Sequence, residues 1–309
     1  MAINTVRVQI NGTWTNLTKN ATTGKYEGTI AAPGVTSYNV NAGHYYPVTT
    51  EATDLAGNVV TVNDTHATLG TNLKLVVKEA AIPVITFTAP ASGAYLSNNT
   101  PSISFQLRDE ANGSGIKISS LTIKVDGGTA LTNTSPGVNI TTATNGYDVT
   151  YLPQTALTDG AHTIAINVVD NDGNSTTTTS RSFYVDTVPP TLSVTTPSSA
   201  TTYQNLASLT IVGVTNDATS SSVTVTVKLN SGTATAVTVD ANGNFTKALT
   251  LVEGTNTIIV TAIDLAGKAS SITRTVILDT VAPVINSITI APNPVNVGQS
   301  YIITVDVTD

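Results

Sequence analysis

The stretch VVDNDGNSTTTTSRSFYVDTVPPTLSVTTP, Val168 to Pro197, decides the fold, because it returns as TAIDLAGKASSITRTVILDTVAPVINSITIAP from Thr261. Each copy runs from a D-x-x-G turn into a strand-like run, then Asp-Thr, a proline and a second strand-like run. The copies lie 94 positions apart at Asp170 and Asp264, and 93 apart at Asp186 and Asp279. A third D-x-x-G turn, ATDLAGNVVTV around Asp54, precedes the second by 116 positions and exits through KLVVKEAAIPVITFTAP, with Pro83 in the linker place. Fixed-period self-similarity of this kind is the mark of an array.

Within each period, short runs alternate Val, Ile, Leu or Tyr with Thr, Ser, Asn or Lys, as half-buried antiparallel strands do. Examples are SLTIKVDGG from Ser120, HTIAINVVD from His162, SVTVTVKLNSG from Ser222 and NTIIVTAID from Asn256. Turn dipeptides such as Asp126-Gly127, Asn145-Gly146, Asp159-Gly160 and Asn242-Gly243 separate them at the spacing of hairpins. A period near 94 holding about seven strands predicts all-β tandem immunoglobulin-like β-sandwiches. Short proline joints at Pro83, Pro189-Pro190 and Pro283 predict an elongated rod. The expected modules are residues 1–82, 83–189 and 190–282, followed by a two-strand segment, 283–309.

Composition narrows the function. Hydrophobic residues make up 40% of the 309, charged residues 11% and aromatics 5%, too apolar and too weakly charged for a disordered chain. Thirteen basic against 20 acidic residues give a net charge of −7, without the positive field that nucleic-acid binding draws on. No apolar run is long enough to span a bilayer, so neither nucleic acid nor membrane is an expected partner. The absence of cysteine removes disulfides and thiolate chemistry. No secretory leader is legible at the start of the sequence, where strand-type alternation begins at once.

Three elements carry the resemblance: DLAGN at Asp54, YLPQTALTDGAHTIAINVVDNDGN from Tyr151, and the pair DLAGK and LDTVAP in the third period. Through them the chain resembles the bacterial Ig-like modules found in tandem in adhesins and in tailed-phage virion proteins. VRVQINGTWTNLTKNATTGKYEGTI and ITIAPNPVNVGQSYIITVDV are similar to virion proteins from phages of Gram-positive hosts. The resemblance implies a non-enzymatic structural or accessory protein of a phage or phage-tail-like particle, placed on tail, baseplate or head. Such a protein is assembled in the host cytoplasm, and its partners are other copies of itself and other virion or tail proteins. The alternative is a surface adhesin segment at the cell exterior, binding host glycan or protein.

The candidate sites are few. Asp54, Asp170 and Asp264 open D-x-x-G turns, where a carboxylate closes the turn on its own backbone. Asp170, Asp172 and Asn174, with Asp186 beside them, are the weak candidates for a calcium ion, but the loop stops short of the full ligand pattern. No metal or cofactor is therefore expected. Asp109 and Glu110 read as a solvated loop. His44, His66 and His162 fall in unrelated contexts and predict no metal site or triad. No nucleophile elbow, P-loop or dinucleotide fingerprint occurs, so no enzyme is expected. Trp14, Tyr38, Tyr45 and Tyr46 are either core residues or a stacking surface for sugar.

The first module aligns out of phase. INTVRVQINGTWTNLTKNATTGKYEGTI from Ile3 matches SSVTVTVKLNSGTATAVTVDANGNFTKAL from Ser221, the middle of the third module. Residues 283–309 read as two opening strands, with ITVDVTD aligned on SFQLRDE at Ser104 to Glu110. The two parts are complementary, and unpaired edges and apolar faces invite strand addition. The expectation is head-to-tail complementation. Ile288, Ile290, Tyr301, Ile303, Val305 and Val307 are the donated face; Val6, Val8, Ile10 and a strand over Tyr26 to Ile30 are the acceptor.

Overall fold

The computed structural model describes residues 2–219 and 222–309. Met1 and Ser221, the first residue of one aligned stretch, lie outside them. Among the described residues every regular element is a strand, apart from one 3-10 turn at Gly70–Leu73. It divides into two compact units: one holds the chain up to Ala94 together with Asn99–Tyr184, the other Tyr95–Asn98 together with Val185–Asp309.

The first module contributes β1 (Ile3–Ile10), β2 (Thr13–Asn16), β3 (Thr18–Lys19), β4 (Tyr26–Glu27), β5 (Tyr46–Asp54), β6 (Val59–Val62) and β7 (Lys74–Leu75). One sheet runs β2-β1-β5-β6, with β7 also on β5, while β3 and β4 form a separate ribbon. The Asn11-Gly12 turn joins β1 to β2, both residues at positive φ, as this hairpin chemistry requires. The expected strand over Tyr26 to Ile30 shortens to Tyr26–Glu27. Its pairing with β3 ends at Thr18↔Glu27, and Gly28 has no side chain with which to hold an extended, half-buried run.

The second module is built from β8 (Val84–Ala89), β9 (Tyr95–Leu96), β10 (Ile103–Arg108), β11 (Ile116–Val125), β12 (Val138–Ala143), β13 (Gly146–Tyr151), β14 (Gly160–Asp170) and β15 (Thr179–Val185). Its sheets run β12-β13-β10-β8 and β11-β14-β15. Period-two alternation sends Ile103, Phe105 and Leu107 of β10 inward against Ile164, Ile166 and Val168 of β14, all at most 1% exposed. Each such side chain contributes roughly 1.5–3 kcal/mol by leaving water.

The third module repeats the plan with β16 (Thr191–Thr196), β17 (Thr201–Gln204), β18 (Ser208–Asn216), β19 (Thr224–Leu229), β20 (Thr235–Val237), β21 (Asn244–Thr250), β22 (Gly254–Ile263) and β23 (Ala269–Leu278). The sheets are β16-β18-β21 and β17-β23-β22-β19-β20. Val194, Ile211, Val225, Val227, Phe245, Ile258 and Val260 form its core. Gly213 is obligatory there, since a Cβ would sit 2.3 Å from the Phe245 ring and 2.5 Å from the Ser193 carbonyl.

The first module differs from this plan in one physical respect. Its Asn11 matches Asn230, both at positive φ, so Val6, Val8, Ile10, Tyr26 and Ile30 correspond to Val225, Val227, Leu229, Phe245 and Leu249. In the third module Val225, Val227 and Phe245 are 1–2% exposed beneath the opening strands. Val6, Val8 and Ile10 are only half-buried and Ile30 is 36% exposed. Among described residues 2–82, Tyr46 alone joins the buried apolar core.

The last element is a hairpin, β24 (Val284–Ala291) with β25 (Ile302–Thr308), in which every residue is exposed. Its register opposes Ile288 to Val305, Ile290 to Ile303 and Ile285 to Val307, so these apolar residues share one face. Thr289 and Thr304 oppose each other on the other. Val284 stands opposite Thr308 as Val84 does opposite Arg108 and Thr191 opposite Asn216. The expected alignment of Asp309 on Glu110 is thus revised by one residue. Asp309 corresponds to Asp109 and Asp217, and the one-step shift puts Val305 and Val307 on the inward parity of Phe105 and Leu107.

Candidate functional site

The three D-x-x-G turns close as their sequences predict. Asp54 Oδ1 accepts the Ala56 and Asn58 N–H groups, Asp170 Oδ1 those of Gly173 and Asn174, and Asp264 Oδ1 that of Lys268, all at 2.6–2.9 Å. Asn58 and Asn174 also donate their side-chain amides to the second oxygens of Asp54 and Asp170. Where Lys268 replaces that asparagine, Asp264 Oδ2 is buried without a hydrogen-bond partner.

Two of these turns belong to acidic clusters that repeat. Glu79, Asp109 and Asp170 each bring a carboxylate oxygen within 4.8 Å of the other two, and so do Asp186, Asp217 and Asp264. The members are positional equivalents. Glu79 and Asp186 stand five residues before β8 and β16; Asp109 and Asp217 follow the last residues of β10 and β18; Asp170 and Asp264 open the turns after β14 and β22. Unit charges about 5 Å apart repel by roughly 3 kcal/mol at an effective dielectric near 20, so either cluster carries an unfavourable charge density.

Burial sharpens this. Asp109 and Asp264 are each 7% exposed, and Asp170 and Asp186 are fully buried. Asp109 Oδ2 accepts the Gly115 N–H at 2.6 Å, while its Oδ1 and Glu79 Oε2 have no partner. Loss of hydration raises the Asp109 carboxyl; the Gly115 N–H opposes the shift, and the Glu79 and Asp170 charges add to it. Glu110 is pushed up to about 7, first by the Glu79 carboxylate beside it and then by lost hydration. Gly113 keeps the space between them open: a Cβ there would lie 2.7 Å from both Asp109 Oδ2 and Glu79 Oε2. A cavity of about 260 Å³ lined by Glu79, Glu110 and Asn112 leads to the first cluster. Another, of about 190 Å³ and lined by Asp217 and Asp240, leads to the second.

The sequence candidates separate. Asp170 enters the first cluster, but Asp172 does not. Its carboxylate takes the Thr36 hydroxyl and the Glu79 N–H, its carbonyl takes Lys78 Nζ at 3.0 Å, and its own N–H goes to Ser114. Asp172 thereby ties the first module to the second, helped by Asn39, whose amide donates to the Gly113 carbonyl at 2.8 Å. Asn174 donates to Asp170 and to the Glu79 carbonyl. Asp109, expected in a solvated loop, is buried; Glu79 and Asp217 were not singled out by sequence. The available signal was their fixed offset from the strand starts and ends.

The histidines lie apart, each with a local role. His44 stacks on Tyr38 at 4.0 Å, His66 Nδ1 accepts the Thr68 and Leu69 N–H groups, and buried His162 sits between Asp126 Oδ2 and the Thr158 carbonyl, 2.7 Å from each. The aromatics form no single platform. Tyr46 is buried with its hydroxyl on the Val35 carbonyl, Trp14 lies under the Arg7 guanidinium at 4.4 Å, and Tyr45 donates to Asp64 with Lys74 over its ring. Of the expected strand-addition residues, Ile288, Ile290, Ile303, Val305 and Val307 share an exposed face on β24–β25, while Tyr301 is exposed just before β25. Of the acceptor set, Val8, Ile10 and Ile30 line a shallow cavity of about 190 Å³ with Thr13, Thr15 and Pro33, while Val6 and Tyr26 lie outside it.

Comparison with known proteins agrees with this topology. Residues 91–187 are similar to the bacterial Ig-like domain family, and residues 190–280 to domain B of glucodextranase. The fold is a tandem of immunoglobulin-like β-sandwiches. No curated protein matches the chain. Among solved structures, it is 17% identical to fibronectin(III)-like modules of Clostridium thermocellum CbhA, over 63% of this chain and 94% of that one, at a TM-score of 0.37. It is 19% identical to a tetra-tandem repeat from the extending region of a large adhesion protein, over 98% and 79%, at 0.33. With latent PorU of Porphyromonas gingivalis it shares 15% identity at 0.30, covering 90% of this chain but only 30% of that one.

Proposed function

We propose that this protein is a non-enzymatic structural or accessory component of a phage or phage-tail-like particle, assembling head-to-tail by strand complementation on tail, baseplate or head. One observation carries the reading: the apolar face of β24–β25 is exposed, while the positions that such a hairpin covers in the complete sandwiches are open in the first module. Ile303 and Val305 correspond to Ile211 and Gly213 of β18, which pair with Lys247 and Phe245 of β21. The first-module counterparts of those partners are Gly28 and Tyr26. An added β25 would therefore extend along Tyr26 to Ile30 and cover Val6, Val8 and Ile10.

The acidic positions support the same correspondence. Asp54 opens the first module's turn, while Asp279 stands five residues before β24 and Asp309 follows β25. These are the three positions of the two clusters, here divided between the first module and the hairpin. The placement on a phage particle rests on the resemblance of the stretches from Val6 and from Ile288.

Deletion of residues 283–309 tests the reading. The full chain should form rings or filaments, the truncated chain should stay monomeric with a less stable first module, and a peptide of residues 283–309 should restore that stability. Equal assembly by the truncated and full chains would refute it.

A further inference from the structure

We propose that a second segment of the incoming copy, residues 294–296, adds as a short parallel strand to the outer edge of the first module at residues 74–78. The inference rests on strand complementation and extends it to the other sheet of the sandwich. Register fixes the edge. Val6 opposes Ala52 in β1–β5 as Val225 opposes Ala262 in β19–β22, so Tyr46 corresponds to Asn256. Tyr46 pairs with Leu75, and Asn256 with Val276. Lys74, Val76 and Lys78 therefore take the places of Thr275, Ile277 and Asp279.

In both complete modules this edge is covered from the segment that joins the two opening strands. In the third, β17 runs parallel to β23, the Ala200 carbonyl accepting the Thr275 N–H at 2.8 Å and the Gln204 carbonyl the Asp279 N–H at 3.0 Å. In the second, the Ala94 carbonyl accepts the Tyr184 N–H at 2.8 Å and the Leu96 carbonyl the Asp186 N–H at 2.9 Å. The first module has no such strand: among the described residues β7 pairs with β5 alone. Val76 is 58% exposed where Ile277 and Tyr184 are half-buried. A row of main-chain donors along an open edge is what strand addition satisfies.

The hairpin carries the missing strand at the required spacing. Tyr95 precedes Ile103 by eight residues and Tyr203 precedes Ile211 by eight; Val295 precedes Ile303 by the same eight. Val295 lies in the connection between β24 and β25, exposed to solvent. Tyr203 stands beside Ile277 in the third module, so Val295 falls beside Val76. The Pro292, Pro294 and Asn296 carbonyls then face the Lys74, Val76 and Lys78 N–H groups. Prolines fit at two of these places because both lend carbonyls; Pro294 forgoes one donor bond, which the first residue of an edge strand can do. The donor thus grips both sheets of the acceptor, β25 along Tyr26 to Ile30 and residues 294–296 along β7.

The test mixes full-length Val76→Cys protein with full-length Val295→Cys protein under mild oxidation and follows the disulfide-linked heterodimer by non-reducing electrophoresis. Neighbouring strands lie about 4.8 Å apart, within disulfide reach, so this pair should link rapidly. Val76→Cys mixed with Asp240→Cys, at an exposed turn, should link far more slowly. Val76→Pro removes an N–H from the outer edge alone and should weaken self-association of the full chain about fivefold to tenfold in sedimentation, while Val76→Thr leaves it unchanged. Thermal melts report folding of every variant. A self-associating wild type whose Val76→Cys and Val295→Cys forms link no faster than the control overturns this inference and leaves complementation standing; a wild type that stays monomeric overturns both.

Discussion

Asp109 and Asp264 are held where an ionised carboxylate gains least from water and most repulsion from its neighbours. Exchanging either for the isosteric neutral amide should therefore stabilise the fold by on the order of 1 kcal/mol, seen as a raised melting temperature. Differential scanning calorimetry checks the sign. His162 makes a second residue-scale prediction. Burial lowers its pKa, but the Asp126 carboxylate and the Thr158 carbonyl outweigh burial and leave it raised. A raised value means stability that is complete below the unfolded pKa of about 6.5 and lost as pH climbs through the folded value. The melting temperature of the wild type should fall from pH 6 to pH 8 more than that of His162→Gln; parallel curves would contradict the assignment.

At the scale of elements, the strands were legible because alternation and turn dipeptides are local signals. β10 and β14 are half-apolar by period two, and Asp126-Gly127 and Asn145-Gly146 turn where expected. The clusters were not legible in the same way. Glu79, Asp109 and Asp170 lie 30 and 61 positions apart, and only the sandwich topology brings linker, strand end and turn to one place. The one-residue error in aligning β25 had a similar origin, since Thr-rich strands offer few large side chains to fix parity. Parity now yields a prediction. Phe105→Ala and Phe245→Ala remove fully buried rings and should cost about 3–5 kcal/mol in chemical denaturation. Ile303→Ala, in an exposed hairpin at the position that matches buried Ile103 and Ile211, should change the stability of an isolated chain by less than about 0.5 kcal/mol, and should instead weaken self-association.

For the whole molecule, the decisive contrast is between two sandwiches whose inner faces are closed and a first module whose equivalent positions remain open, in a chain that also carries an unburied apolar hairpin. Under the proposed reading the occupant is a second copy, and the third module supplies the register. Val212 opposes Thr246 in β18–β21, and the corresponding residues are Thr304 of the hairpin and Glu27 of the first module, both facing outward. Directly opposed residues lie about 4.5–5.5 Å apart between Cα atoms, within reach of a disulfide, and the chain has no cysteine of its own to compete. Mixing Glu27→Cys protein with Thr304→Cys protein under mild oxidation, and reading the products by non-reducing electrophoresis, isolates the contact between copies. Complementation predicts a covalent heterodimer that forms rapidly and is lost when Ile303 and Val305 are both replaced by Asp; cross-linking no faster than for Thr304→Cys mixed with Asp240→Cys would contradict it.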